Sequence, residues 1–375
     1  MRQPKPIALY PFKTPACRLN KVFAARFQKS DRFPTGLSRA LLWLRRRGLA
    51  WHTGGMLRRT ILGSVPALAL LPGWAQASDF NSFLAALQAR AARDGIPEWI
   101  ISATTGGLVP NQDVLTLDKH QPEFTLTWAQ YSARVLNAGR VNQGRVTAQS
   151  AASLLAAVTS QYGVDAGPLL GIWGIETNYG TTQGDFGVID ALTTLAWDRN
   201  SSYFGGQVIS AMRIIANGDA PADKLIGSYA GAMGQPQFMP SVYLSTAVAF
   251  SGSGRPDIWS SDPDTLASMA NYLVKAGWQA GQPSSEPVLA PAGIDVSATG
   301  RELVRTIGYW ESIGVQRLPG APASPSATPA ALLLPDGAGG QAFLIYRNFS
   351  VIRRYNPSDY YALAVGALGR MALQA

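Results

Sequence analysis

From residue 79 to about residue 107, apolar side chains return at helical spacing: Phe80, Phe83, Leu84 and Leu87, then Ile96, Trp99 and Ile100. That pattern predicts a pair of helices. Gly106-Gly107 and Pro110 end it, and Gln121-Pro122-Glu123-Phe124 opens another segment. A further amphipathic helix is expected over 147–162, and Asp165-Ala166-Gly167-Pro168 leads into a strongly apolar helix that carries Glu176. Helical spacing continues over 190–197, 203–217, 242–250, 265–276 and 359–373. At about Trp278 the character changes: Pro and Gly become frequent and apolar runs shorten. Residues 332–334 and 342–346 read as strands joined by the turn-rich stretch from Pro335 to Gly340, while 319–329, rich in Pro, Ala and Ser, reads as an exposed loop. There is no internal repeat. The pattern predicts a mainly α fold of the α+β class.

The formal charge of +9 suggests a nucleic-acid or membrane binder until the charges are located. Residues 1–59 hold 14 of the 32 lysines and arginines and a single acid, Asp31, which leaves 18 basic against 22 acidic side chains in the rest. The larger part is therefore net acidic, and nucleic acid is not an expected partner. Residues 56–77 read as a secretory signal: Met56 and two arginines, an apolar run from Ile61 to Trp74, then Ala75-Gln76-Ala77 before Ser78. Pro66 and Pro72 argue against a buried helix there, and the run is too short to cross a bilayer. Residues 1–55 are then expected to be an upstream extension outside the fold, with translation starting at Met56. The alternative is a basic arm in which Arg45-Arg46-Arg47 touches phosphates.

Removing residues 1–77 changes the chemical inventory. The only cysteine, Cys17, is lost, and His120 is the one histidine left. Disulfides, zinc–thiolate sites, Cys-His and Ser-His-Asp catalysis are excluded, and no cysteine follows the cleavage site to carry a lipid. The remaining roughly 300 residues suffice for two or three packed units and contain no membrane-spanning run. A periplasmic protein without cofactor or metal is expected, working through carboxylates, hydroxyls and amides.

Three segments stand out. In Gly171-Ile172-Trp173-Gly174-Ile175-Glu176-Thr177-Asn178-Tyr179-Gly180 a lone carboxylate lies in an apolar helix, with Ile172 and Trp173 on its own face. Desolvation disfavours the charged form, and Gly180 as terminator would place Glu176 at the negative end of the helix dipole. A protonated glutamic acid near neutral pH is a general acid; a structural Glu bonded to neighbouring backbone fits the pattern equally well. The second segment, residues 227–241, combines small residues with Ser228, Gln235 and Gln237, which suits a ligand rich in hydroxyls and amides. Tight packing of helices around its glycines would produce the same composition. The third, Arg353-Arg354-Tyr355-Asn356-Pro357-Ser358-Asp359-Tyr360-Tyr361, offers aromatic and amide groups, or an N-cap at Asn356 or Ser358 with tyrosines in the core.

Taken together, in order and spacing, the three segments resemble the signatures of the lytic murein transglycosylase B family, and the resemblance runs from about Phe80 to Leu373. It implies a lysozyme-like helical core, a helical N-terminal domain and a small β-rich insertion. Set on this chain, that becomes an N-terminal domain over 78–150, a core over 151–278, the insertion over 279–347 and a closing helix over 348–375. The implied activity is cleavage of the β-1,4 bond between N-acetylmuramic acid and N-acetylglucosamine in peptidoglycan, leaving a 1,6-anhydro end. By its motif Glu176 matches the catalytic acid/base and Ser228 a residue that bonds the N-acetyl group. Gln237, Tyr203, Tyr272, Tyr355, Asn356 and Tyr361 match residues lining the saccharide groove.

Hydrolytic glycosidases usually flank the scissile bond with two carboxylates. Here Asp185, Asp190 and Asp198 follow Glu176, but none has an equally apolar setting. Relatives can carry an EF-hand-like calcium loop; the matching stretch, 249–257, has Ala249 and Ser253 at ligand positions and adds Arg255, so no calcium is expected. The alternatives are a lysozyme-type hydrolase and a non-enzymatic wall-binding protein. The partners expected are glycan strands, with cell-wall synthesis proteins left unspecified.

Overall fold

The computed structural model describes residues 72–119 and 126–374. The expected extension over 1–55, residues 56–71 of the expected signal, His120 and the segment opening at Gln121 lie outside them.

Helices α1 (Pro72–Arg93), α2 (Glu98–Thr105) and α3 (Gln112–Lys119) come first. The first two are the expected pair, although Trp99 is 67% exposed and leaves the stripe formed by Ile96, Ile100 and Ile101. Helix α4 (Trp128–Val135) starts at a capping box in which Thr127 and Gln130 satisfy each other's backbone amides. Two helices, α5 (Ala138–Ser150) and α6 (Ala152–Tyr162), replace the single helix expected over 147–162. The chain bends at Ala151, with φ −97° and ψ 12°. No Gly or Pro marks that bend, and α5 is polar along most of its length, so periodicity alone could not separate the two.

Helix α7 (Ala166–Thr177) is buried all round from Leu169 to its end, as expected of a helix at the centre of a fold. Strand β1 (Phe186–Gly187), α8 (Val188–Asp198), α9 (Ser202–Ala216), strand β2 (Ile226–Gly227), α10 (Pro240–Thr246) and α11 (Asp262–Lys275) follow. The two short strands pair antiparallel. Next come β3 (Ser285–Leu289), β4 (Val304–Thr306), α12 (Ile307–Ser312), β5 (Gln316–Arg317), β6 (Pro329–Leu333) and β7 (Ala342–Ile345). The chain closes with α13 (Arg347–Tyr355) and α14 (Asp359–Leu373).

Strands β3 to β7 form one antiparallel sheet in the order β4-β6-β7-β3-β5, with Leu332 opposite Leu344 and Ser285 opposite Ile345. Its two faces go to different places. Val288, Ala330, Leu332, Ala342 and Leu344 pack on Ile307 and Trp310 of α12. Ala331, Phe343 and Ile345, one residue out of phase, enter the main helical core. Burial on both faces makes β7 a continuous apolar run, which is why it is readable in the sequence; β6 begins at Pro329, three residues before the strand expected over 332–334, and the short polar edges β4 and β5 are not readable.

The helices divide between two cores. Helices α4, α5, α6, α7, α11, α13 and α14 supply the first. Helices α1, α2, α8, α9 and α10, with Val114 of α3 and the loop around Tyr229, supply the second. Tyr272 and Tyr355 pack against both, and so mark the seam between them. No helix among the described residues is long and apolar enough to cross a membrane.

A run of glycines sets the closest contact in the first core. Gly167, Gly171 and Gly174 share one face of α7, and a Cβ at Gly171 would stand 2.2 Å from the Val365 carbonyl oxygen of α14. Gly369 on α14 is equally close to α7: its Cβ would stand 2.1 Å from the Gly167 carbonyl oxygen. The backbones meet because no side chains stand between them. The start of α14 is thereby carried to the C-terminal end of α7.

Candidate active site

Glu176 is the penultimate residue of α7, 8% exposed, on the side of the helix that also buries Ile172 and Trp173. Burial pushes its carboxyl up to about 8, against one opposing contact, a hydrogen bond donated by the Tyr361 hydroxyl to Oε1 at 2.6 Å. No arginine or lysine among the described residues forms an ion pair with it. The negative end of the helix dipole lies at the same place and also disfavours its charge.

The helix stops earlier than the sequence suggests. Asn178, not Gly180, is the terminating residue, at φ 49°, and Tyr179 and Gly180 follow at 58° and 84°. Two successive non-glycine residues in the left-handed region are strained, and the neighbouring loop holds them there. Thr177 Oγ1 donates to the Gln235 carbonyl at 2.9 Å and accepts from the Gly180 amide at 3.1 Å. The Trp173 indole N–H donates to Gln235 Oε1 at 2.7 Å, and Gln235 Nε2 donates to Asp262 Oδ1 at 3.0 Å. Gln235 therefore does not present its amide to a ligand: it is buried and fastens α7 to the loop and to the start of α11. Its neighbour Gln237, at φ 51°, donates to the carbonyls of Gln183 and Gly234, both at 3.0 Å, and keeps its side-chain oxygen out of those bonds.

Tyrosines line the seam beside Glu176. Tyr361 is the third residue of α14, whose N-cap Ser358 accepts from the Tyr361 amide. Tyr355, the last residue of α13, lies close enough to Glu176 for that carboxylate to raise its hydroxyl pKa further above a level already lifted by burial. Its hydroxyl donates to the Pro236 carbonyl at 2.5 Å. Its ring meets Tyr272 edge-on at 4.8 Å and Phe238 at 5.8 Å. Burial pushes Tyr272 up to about 12, the Arg354 cation lowers it, and Tyr203 adds to the rise; the Tyr203 ring packs on the second core beside Phe204. Phe238, which the sequence did not single out, is the apolar floor under Tyr272 and Tyr355; its position between the two glutamines and Pro240 was the available signal.

Ser228 and Asn356 make local contacts. Ser228 is buried, and its Oγ accepts from the Ala232 amide at 3.1 Å, a bond that does not use its own O–H. Asn356 caps α13 and accepts from the Ser358 amide at 3.1 Å. Both hold local turns, and among the described residues neither hydrogen-bonds to Glu176. Of the other acids, Asp190 accepts from Asn111 Nδ2 at 2.6 Å, while Asp185 and Asp198 are exposed. None shares the apolar setting of Glu176.

In the stretch 249–257, Asp257 is fully engaged. Lys224 Nζ donates to its Oδ2 at 2.8 Å, and the Trp259 and Ser260 amides donate to its Oδ1 at 2.9 and 3.0 Å. These donors hold its carboxyl down at about 2, against the opposing effect of burial. Asp264 accepts from the Phe250 and Asp257 amides.

Residues 79–370 match the family model described as the transglycosylase SLT domain. Membrane-bound lytic murein transglycosylase B of Escherichia coli is 32% identical over 272 residues, 70% of this chain and 72% of its own length. Among solved structures, SltB3 of Pseudomonas aeruginosa in complex with NAG-anhNAM-pentapeptide has a TM-score of 0.73 at 41% identity, covering 77% of this chain and 78% of that one. The Escherichia coli lytic transglycosylase Slt35 in complex with calcium has a TM-score of 0.65 at 29% identity, covering 80% and 94%. The lysozyme-like architecture inferred from the three motifs is that of these neighbours, and the chain belongs to the transglycosylase SLT family.

Proposed function

We propose that this chain is a peptidoglycan lytic transglycosylase in which Glu176 serves first as acid and then as base. The observation that carries the reading is the buried Glu176 carboxyl, held protonated at neutral pH by desolvation, with no ion pair to a cation among the described residues. Glu176 donates its proton to the glycosidic oxygen as the bond to the muramyl anomeric carbon breaks. With no second carboxylate in a comparable setting, the positive charge on that carbon is met by the N-acetyl oxygen of the same sugar, with the Ser228 hydroxyl orienting the acetamido group. The Glu176 carboxylate then takes the proton of the muramyl 6-hydroxyl, whose oxygen closes on the anomeric carbon. An attacking group within the same sugar outcompetes water through its effective molarity.

The electrostatics suit both halves of that cycle. Burial favours the acid form before cleavage, and the Tyr361 hydroxyl supports the carboxylate that cleavage leaves behind. Tyr203, Tyr272, Tyr355, Asn356, Tyr361 and Gln237 are assigned to the saccharide groove: aromatic faces for sugar rings, amides for hydroxyls. The chain acts in the periplasm after export by residues 56–77, without a lipid anchor, and its partners are glycan strands. Replacing Glu176 by Gln keeps the shape and removes the proton; lysis of purified sacculi should fall about a hundredfold or more. Unchanged lysis would remove Glu176 from the mechanism.

A further inference from the structure

Buried polar contacts bracket Glu176 along the chain. Trp173, three residues before it, donates its indole N–H to Gln235 Oε1 at 2.7 Å, and Thr177, directly after it, donates its hydroxyl to the Gln235 carbonyl at 2.9 Å. One loop residue thus grips α7 on both sides of the carboxyl. Helical side chains lean toward the helix N-terminus, so Glu176 lies back over the turn that carries Trp173. The position of that indole therefore bears on how much water reaches the carboxyl.

Asp262 fixes which end of the Gln235 amide meets the indole. An amide accepts at its oxygen and donates at its nitrogen. Gln235 Nε2 donates at 3.0 Å to Oδ1 of Asp262, in the first turn of α11, which leaves Oε1 for Trp173. The Gln235 backbone is committed as well, its N–H donating to the Ile258 carbonyl at 2.8 Å. Gln235 is 4% exposed and Trp173 2%, so water does not compete for the bond between them. Gly180 supplies the room: besides its φ of 84°, a Cβ there would stand 2.4 Å from Gln235 Oε1.

We propose that Gln235 and Asp262 are positioning residues for Glu176: the relay from Asp262 through Gln235 to Trp173 locks the indole beside the carboxyl and keeps water from it. The inference rests on the acid/base reading of Glu176 and adds what maintains its setting. The titratable groups facing Glu176 are Tyr361 of α14 and Tyr355 of α13, both kept neutral by burial. Of the other helices packed on α7, α5 brings Arg140 toward Tyr179, α6 carries no charged side chain, and α11 brings Asp262 to Gln235. Breaking the relay at Gln235 changes none of these charges, so its effect has one sign. Water that reaches the carboxyl stabilises the carboxylate and lowers the pKa.

Carbon-13 NMR titration of the full chain, labelled at the glutamate δ-carbon, reads the Glu176 pKa without turnover, and Glu176→Gln assigns the resonance. The wild type should titrate near 8. Gln235→Leu, which keeps bulk but removes acceptor and donor, should lower that value by about 1 or more. On soluble glycan strands the alkaline limb of kcat/KM should move to lower pH by the same amount, with kcat reduced at least about tenfold and KM little changed. Asp262→Ala and Asp262→Asn remove the same charge, but only asparagine keeps an oxygen for Gln235 Nε2, so the alanine variant should show the larger fall. Should Gln235→Leu fail to fold, this pair carries the test. An unmoved pKa in Gln235→Leu, or equal falls in the two Asp262 variants, would overturn the proposal. Intact lysis by Glu176→Gln would instead remove the acid/base reading and leave the titration result standing.

Discussion

Tyr361 Oη donates to Glu176 Oε1 at 2.6 Å, and among the described residues this bond is the contact that stabilises the carboxylate against the burial that opposes it. Both groups are buried, one from the end of α7 and the other from the start of α14. Their encounter depends on two helices approaching at glycines, so the chemistry of the seam is tied to the packing behind it.

Tyr361→Phe should therefore move the pH profile of kcat/KM in a defined direction. Removing a donor to the charged form raises the Glu176 pKa above about 8, so the alkaline limb, where the acid form is lost, shifts to higher pH. The variant should also lose activity at neutral pH, because the carboxylate formed on cleavage loses its support. A limb that stays in place would show that Tyr361 only fills space.

Glu176 also links folding to pH. Its carboxyl ionises near 4.5 in the unfolded chain and near 8 in the fold, so between those values the native state holds a proton that the unfolded state has released. The stability this proton represents is complete below about 4.5 and is lost as pH rises to about 8, by about 1.4 kcal/mol per pH unit. Glu176→Gln abolishes that slope. Urea unfolding across the window should show the variant gaining on the wild type as pH rises, then a constant difference above it. Parallel curves throughout would mean that the carboxylate is not desolvated.

How much of this was legible beforehand depends on what each residue does. The α14 boundaries, β7 and the setting of Glu176 could be read because apolar periodicity and burial coincide there. The break at Ala151 carries no Gly or Pro, and the polar edge strands leave no hydrophobic trace, so neither was visible. Gln235 illustrates the limit on the site: a neutral amide among glycines looks the same whether it faces a sugar or, as here, ties Trp173 to Asp262. Side-chain partners decided that, and they belong to tertiary structure.

Gly171→Ala tests the packing. Its Cβ would meet the Val365 carbonyl at 2.2 Å, a contact relieved only by separating α7 from α14. A loss of about 1–3 kcal/mol or more is expected in urea unfolding, together with lower activity, because the Tyr361–Glu176 bond lengthens. Neutral behaviour in both assays would separate the site from the packing.

Calcium should leave the melting temperature unchanged. Lys224 and three hydrogen bonds from Trp259 and Ser260 already satisfy Asp257. A calcium-dependent rise that disappears on Asp257→Ala would contradict this and align the chain with its calcium-bound relative.

Mass spectrometry of fragments released from sacculi tests the single-carboxyl mechanism most directly, since internal closure and hydrolysis differ by the mass of one water. The account predicts 1,6-anhydromuramyl ends from the wild type and almost none from Glu176→Gln. Reducing ends that have gained water would mean that a second group activates a solvent molecule, and the mechanism built on Glu176 alone would fail.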